Sequence, residues 1–380
     1  MKRSIAVSML CLLLFLCGCS EGHSVATVQS VEDPFASMEN VNDGSERPAT
    51  QVSTTENDSQ EDFPPMGMGF GLMGDFVTDE SGRREYLYNG GEMHLGYWLE
   101  AEGMSKMGLG LFLFVDGQPQ LFKTKEDETE RYMHVLYPPE GEKITGEFIF
   151  TPVVGEQGDT LEIYTMNILY PTHSIDDPPG AYQTAGGGSI GSKIAFQQAA
   201  PKTTQSLSQE RVLSQTTTYT DLTASEISGW SQDDLRNRLD YHFYVNGRKD
   251  FGELFRVADT QPLNCRFEMW GCPNGEFTLT VFLNHEPVYV QDISAQYGQK
   301  VTSEIHLDIS NYGREGVLFA VLVAKNQRSQ QLDYGLETSG TFYITDAATE
   351  AELKGSFGTG FVKLVVKLYG RDDLLKKAFS

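Results

Sequence analysis

The feature that most constrains this chain is that it repeats itself. Displaced by 168 positions, residues 76–122 lie on residues 244–290 without a gap. Val77 meets Val245, Glu85 meets Glu253, Leu111 meets Leu279, Phe114 meets Phe282 and Pro119 meets Pro287. Identity is sparse, but the alternation agrees. Leu95, Tyr97, Leu99 and Ala101 fall on Leu263, Cys265, Phe267 and Met269, a period of two that marks half-buried strands. After an extra loop in the first copy, Gly141-Glu142-Lys143-Ile144-Thr145 falls on Gly298-Gln299-Lys300-Val301-Thr302, and Leu161 to Ile168 falls on Val317 to Ala324. Two copies are too few for a solenoid, so the expected product is a pair of related β units.

The rest of the chain reads the same way. Asp116-Gly117 and Asn246-Gly247 sit between apolar runs, a strong short-range hairpin signal. Strands are expected at Leu109 to Val115, Gly146 to Val154, Leu161 to Tyr170, Phe277 to Leu283, Val317 to Ala324, Gly340 to Thr345 and Phe361 to Tyr369. Helices are scarce: one short helix capped by Ser231-Gln232-Asp233-Asp234, and one at Asp372 to Ala378. The fold class is therefore all-β: two tandem antiparallel β-sandwich domains related by the internal repeat. The expected domain boundaries are 70–184 and 236–380. A Gly/Ser/Thr/Gln-rich linker spans 185–235. The architecture is similar to the immunoglobulin-like and fibronectin-type-III-like modules of bacterial surface proteins, although the Cys…Trp…Cys arrangement of true immunoglobulin domains is absent.

Two segments precede these domains. Lys2 and Arg3 lead an apolar run from Ile5 to Leu16, too short to span a membrane and followed by Leu16-Cys17-Gly18-Cys19. This resembles the lipobox of bacterial lipoproteins. The resemblance implies a signal peptide over 1–18, acylation of Cys19, and an extracytoplasmic protein held by lipid at the cell membrane or outer membrane. Two acyl chains would anchor it stably, at roughly 0.8 kcal/mol per buried methylene. Residues 19–69 read as a disordered acidic tether: few apolar residues, many Ser, Thr, Asp and Glu. As a coil it would reach on the order of 40 Å. The Met-Gly run from Pro65 to Gly74 reads as a flexible entry to the first domain rather than a copper(I) site, because no Cys or His accompanies its methionines.

The chain has 29 Lys and Arg against 53 Asp and Glu, so cleavage after Gly18 leaves 27 − 53 = −26. That field repels phosphate backbones and argues against nucleic acid as a partner. Catalytic motifs are absent: there is no Gly-x-Ser-x-Gly, no His-Glu-x-x-His and no phosphate loop, since Ser192 separates Gly191 from Lys193. No cofactor and no metal site is expected. The acid clusters Glu126 to Glu130 and Asp176-Asp177 read as solvated charge, and His285 as a surface turn residue.

Three residue sets remain as candidates. Cys19 carries the lipid. Trp98 and Trp270 face outward on repeat-related strands, where an indole can stack on a sugar or anchor a protein interface. Cys265 and Cys272 are a candidate disulfide only if the strand bends near Met269 to Gly271. A straight strand would hold them roughly 23 Å apart, while the bond needs Cα atoms within about 7 Å. The expected function is non-catalytic binding or scaffolding at the cell envelope, with a protein partner favoured over a glycan. A wall or polymer hydrolase with carboxylates facing each other across an interdomain cleft is the alternative.

Overall fold

The computed structural model describes residues 67–345, apart from 81, 103–107, 170, 173–188, 202–210, 232–238, 250–254, 259–261, 272–273, 310–314 and 326–334. The signal peptide, Cys19, Asp176-Asp177, Cys272, the expected strand at 361–369, the helix at 372–378 and nearly all of the helix expected after Ser231 lie outside the described residues.

The described residues form twenty-one strands. The first domain contains β1 (Gly67–Met73), β2 (Val77–Thr78), β3 (Arg84–Tyr88), β4 (Met93–Glu102), β5 (Leu109–Val115), β6 (Gln118–Pro119), β7 (Met133–Leu136), β8 (Lys143–Phe150), β9 (Thr160–Leu169) and β10 (Ser189–Phe196). The second contains β11 (Val212–Asp221), β12 (Asp240–Val245), β13 (Arg248–Lys249), β14 (Phe255–Ala258), β15 (Leu263–Trp270), β16 (Gly275–Leu283), β17 (Glu286–Ala295), β18 (Gln299–Leu307), β19 (Glu315–Ala324), β20 (Leu336–Thr338) and β21 (Phe342–Thr345). Each domain is a sandwich of two sheets. In domain 1 the outer sheet runs β1-β4-β8, and the inner sheet runs β2-β3-β10-β9-β5-β6, with β7 on β5. In domain 2 the outer sheet runs β11-β18-β15-β12-β13, and the inner sheet runs β14-β21-β19-β16-β17, with β20 on β19. Pairing is antiparallel except for β3 with β10 and its counterpart, β14 with β21.

Alternation explains the outer sheets. Along β4, Leu95, Tyr97, Leu99 and Ala101 are fully buried while His94, Glu100 and Glu102 face solvent. Leu95 and Tyr97 meet Leu111, Leu113, Phe148 and Ile163 in the core of domain 1. Phe243, Cys265, Phe267, Leu279 and Ile305 do the same in domain 2. The inner sheets do not alternate: all seven residues of β5 are buried, as are the last seven of β16. A strand covered on both faces has no solvent side to mark with polar residues.

What covers the second face is the other domain. Phe112, Phe114, Tyr164, Met166 and Ile168 of the first inner sheet form one apolar cluster with Phe282, Val317, Phe319, Val321 and Val323 of the second. Phe112 meets Phe282 edge-on at 5.1 Å between centroids, and Phe282 stacks on Phe319 at 5.2 Å. The described residues accordingly belong to one compact unit. Four sheets are layered in the order outer, inner, inner, outer, and the two outer sheets lie at opposite ends.

Several expectations are corrected. Gly67–Met73 is not a flexible entry but the edge strand of an outer sheet. Its glycines lie on one face and Met68, Phe70 and Leu72 on the other. The stretch expected as a linker contains β10, which completes the inner sheet of domain 1, and β11, which borders the outer sheet of domain 2. Its polar character follows from place: β11 is an edge strand exposed along nearly its whole length.

The repeat is present, but cross-strand register shifts it. Tyr97 faces Gly146 and stacks on Phe70, as Phe267 faces Ser303 and stacks on Tyr241. Tyr97 therefore corresponds to Phe267, two places on from its ungapped match. On β9, Tyr164 rather than Ile163 corresponds to Phe319, because both of those side chains point into the interdomain cluster. A one-residue slip moves every side chain to the opposite face of its sheet.

Candidate interaction surface

Trp98 and Trp270 do not come together; they lie on the two outer sheets, at opposite ends of the stack. Trp98 sits mid-strand on β4, between Gly71 of β1 and Thr145 of β8. Its half-buried indole lies across the bare backbone of β1: a Cβ at Gly71 would overlap its Nε1, and one at Gly69 would come within 2.8 Å of Cζ3. The glycines of the Met-Gly run thus make room for the ring. Lys143 Nζ stands 4.0 Å from the centre of the indole. Around it, Lys125 Nζ donates to Glu147 at 2.7 Å and His94 Nδ1 lies 3.2 Å from the same carboxylate. The hydrogen bond from Lys125, then that from His94, holds the Glu147 carboxyl below its usual range.

Trp270 ends β15 and pairs with Asp240 and Lys300. The His242 ring meets it edge-on at 4.8 Å, and Lys249 Nζ lies 2.8 Å from His242 Nε2. Arg266 lies over the Tyr244 ring at 4.2 Å. Lys300, the repeat counterpart of Lys143, donates to Glu226 at 2.6 Å. That bond and two more from Thr223 pull the Glu226 carboxyl down to about 2. The Trp98 ring thus lies between the β1 backbone and Lys143, while Trp270 is half-buried with His242 at an edge-on angle to it. Cys265 carries a free thiol buried in the core, and burial pushes its pKa upward.

At the rim of the interdomain seam, Asp116 and Asp292 face Lys325, at 3.9 Å and 3.0 Å. Asp116 is a turn residue with φ near 48°, a left-handed conformation that Asp, Asn and Gly tolerate best. Burial raises its carboxyl to about 6 against the opposing pull of Lys325. His285, in the matching turn of domain 2, packs 6.3 Å from Phe112, and burial lowers it to about 4. It is a turn residue, as expected, and its ring is turned toward the seam. Further along the seam, Arg83 grips the buried Glu162 with two bonds, of 3.2 and 2.5 Å, and buried Lys193 bonds Asp79 at 2.6 Å. Beneath these pairs, among the described residues, the seam is filled by phenylalanines and other apolar side chains. The Glu126 to Glu130 loop spends Asp127 on its own turn, where the carboxylate accepts from the Thr129 backbone.

No protein-family model matches the chain, and no curated protein matches it. Its similarity is to solved β-sandwich structures. The Salmonella enterica SafA pilin in complex with the SafB chaperone shares 11% identity over 73% of this chain and 96% of that one, at a TM-score of 0.19. The fibronectin(III)-like modules of Clostridium thermocellum CbhA share 5% over 73% and 94%, at 0.18. The E. coli chaperone DraB shares 11% over 73% and 97%, at 0.18. At such scores the likeness bears on neither ligand nor partner.

Proposed function

We propose that this is a lipid-anchored, extracytoplasmic binding protein that engages an envelope protein through its outer sheets. The lipobox supports the anchor at Cys19. One observation carries the rest. The inner sheets are consumed by packing against each other, so the faces left to solvent are the outer sheets, which carry mixed charge and half-covered aromatics. Residues with both an apolar body and a polar rim suit protein interfaces. The filled seam disfavours a hydrolase, which needs room for substrate between its carboxylates. The capping of Trp98 by Lys143 favours a protein over a glycan.

Two tests address this reading. Labelling of the full chain with an alkyne fatty acid is expected to be lost in Cys19→Ser, with release from the membrane. Envelope fractions incubated with the full chain are expected to yield retained proteins, and Trp98→Ala or Trp270→Ala to weaken that retention. Saturable binding to isolated glycan, lost in either variant, would overturn the preference for protein.

A further inference from the structure

The two sandwiches differ at one edge. In domain 2, β11 lies antiparallel on β18, with Thr220, Thr218 and Thr216 opposite Lys300, Thr302 and Glu304. In domain 1 the matching series is Lys143, Thr145 and Glu147 on β8. Ile149 exchanges both of its backbone bonds with Lys123, at 2.9 and 2.8 Å, so its N–H and C=O point away from β4. Alternate residues of a strand point the same way, so those of Lys143, Thr145 and Glu147 do too. Among the described residues, no strand pairs with this edge, and it is about 17 Å long at 3.4 Å per residue.

The neighbouring lysine reports the same gap. Lys300 is ion-paired to Glu226, six positions past Thr220. Lys143 has no carboxylate partner among the described residues and lies on Trp98 instead. The chain thus displays, in domain 2, the complement that β8 lacks: a Thr-rich strand, uncharged up to its last residue Asp221, with the acidic Glu226 beyond it.

Resting on the binding reading above, we infer that β8 is a strand-addition site. Its partner is an extended, uncharged, Ser/Thr-rich segment of another protein, running antiparallel to β8 with a carboxylate beyond its C-terminal end that draws Lys143 off Trp98. Backbone pairing supplies the affinity, and the alternate side chains and the terminal carboxylate supply the register.

The probe is a peptide of residues 212–226 of this chain, titrated into the full chain. Amide exchange at Lys143, Thr145 and Glu147 is expected to slow at least tenfold at saturation. Trp98 emission is expected to change, a signal absent in Trp98→Phe. Thr145→Pro removes an edge N–H and is expected to weaken binding at least tenfold. Lys143→Ala, which leaves the backbone intact, is expected to weaken it less and to abolish the emission change. Unaltered exchange on β8 at millimolar peptide, or protection confined to domain 2, would overturn the inference. Self-association lost in Thr145→Pro would overturn it in favour of a second copy as the occupant. If Thr145→Pro leaves capture of envelope proteins intact, strand addition falls while the binding reading stands.

Discussion

Asp116→Asn isolates what the seam costs. The aspartate is half-buried at the junction, and its carboxyl rises from an ordinary 3.8 to about 6, so solvent screening makes the energy that follows an upper bound. At 1.36 kcal/mol per pH unit, that rise amounts to about 3 kcal/mol. The folded state holds the proton more tightly than the unfolded chain, so the contribution is fully present below pH 3.8. It is lost as the pH rises through about 6. At pH 7 the native chain carries the whole penalty of a desolvated carboxylate. Asparagine keeps the left-handed turn and removes the charge, and Lys325 retains Asp292 at 3.0 Å. The variant is expected to be more stable at pH 7 by up to about 3 kcal/mol, and indistinguishable from wild type at pH 3.5. Urea unfolding of the full chain, followed by tryptophan emission from pH 3.5 to 7.5, reads the difference. Equal stability at pH 7, or a gain of the same size at both ends, would refute the burial argument.

The other expectations concern packing and charge. His285→Asn removes the opposing limb: burial lowers His285 to about 4, so its contribution is present above pH 6.5 and lost as the pH falls towards 4. The variant's stability is expected to decline steadily from pH 4 to 6, which the same titration checks. Phe282→Ala opens a cavity among Phe112, Phe114 and Phe319 and is expected to cost about 3–5 kcal/mol in urea unfolding. Lys193→Met removes the 2.6 Å ion pair from the half-buried Asp79 carboxylate, which keeps its hydrogen bond from the Arg83 backbone N–H. It is expected to lower stability by about 3 kcal/mol, whereas a loss below 1 would mean that water reaches the pair. Gly71→Ala drives a methyl into the Trp98 indole and is expected to cost about 1–3 kcal/mol, with a red shift in emission as the ring leaves β1.

Individual strands were legible in the sequence; their assembly was not. Leu109–Val115 has the expected bounds, and Asp116-Gly117 and Asn246-Gly247 turn with positive φ as their residue types require. The seam does leave a signal in the sequence. Leu109 to Val115 and Val317 to Ala324 are continuously apolar, whereas Met93 to Glu102 alternates, and only burial on both faces explains the difference. The Met-Gly run misled because glycine normally marks a loop. Here it alternates with Met68, Phe70 and Leu72 so that an indole can lie on the backbone. The Thr-rich stretch around β11 misled because an edge strand with two wet faces has the composition of a linker. The register slips arise because an ungapped alignment cannot see which residue stands opposite which. Alternation puts Trp98 and Trp270 opposite the core side of their strands, but no local pattern reveals that Lys143 caps one and His242 abuts the other.

The most direct test of the central claim is photo-crosslinking in intact cells. A crosslinking residue is placed at Glu100 on one outer sheet, at Glu304 on the other, and at Phe282 in the seam as a control. Adducts with an envelope protein from either outer position, and none from Phe282, are the expected result. Protein adducts from neither outer face, together with retention of the chain by purified envelope glycan, would contradict the account.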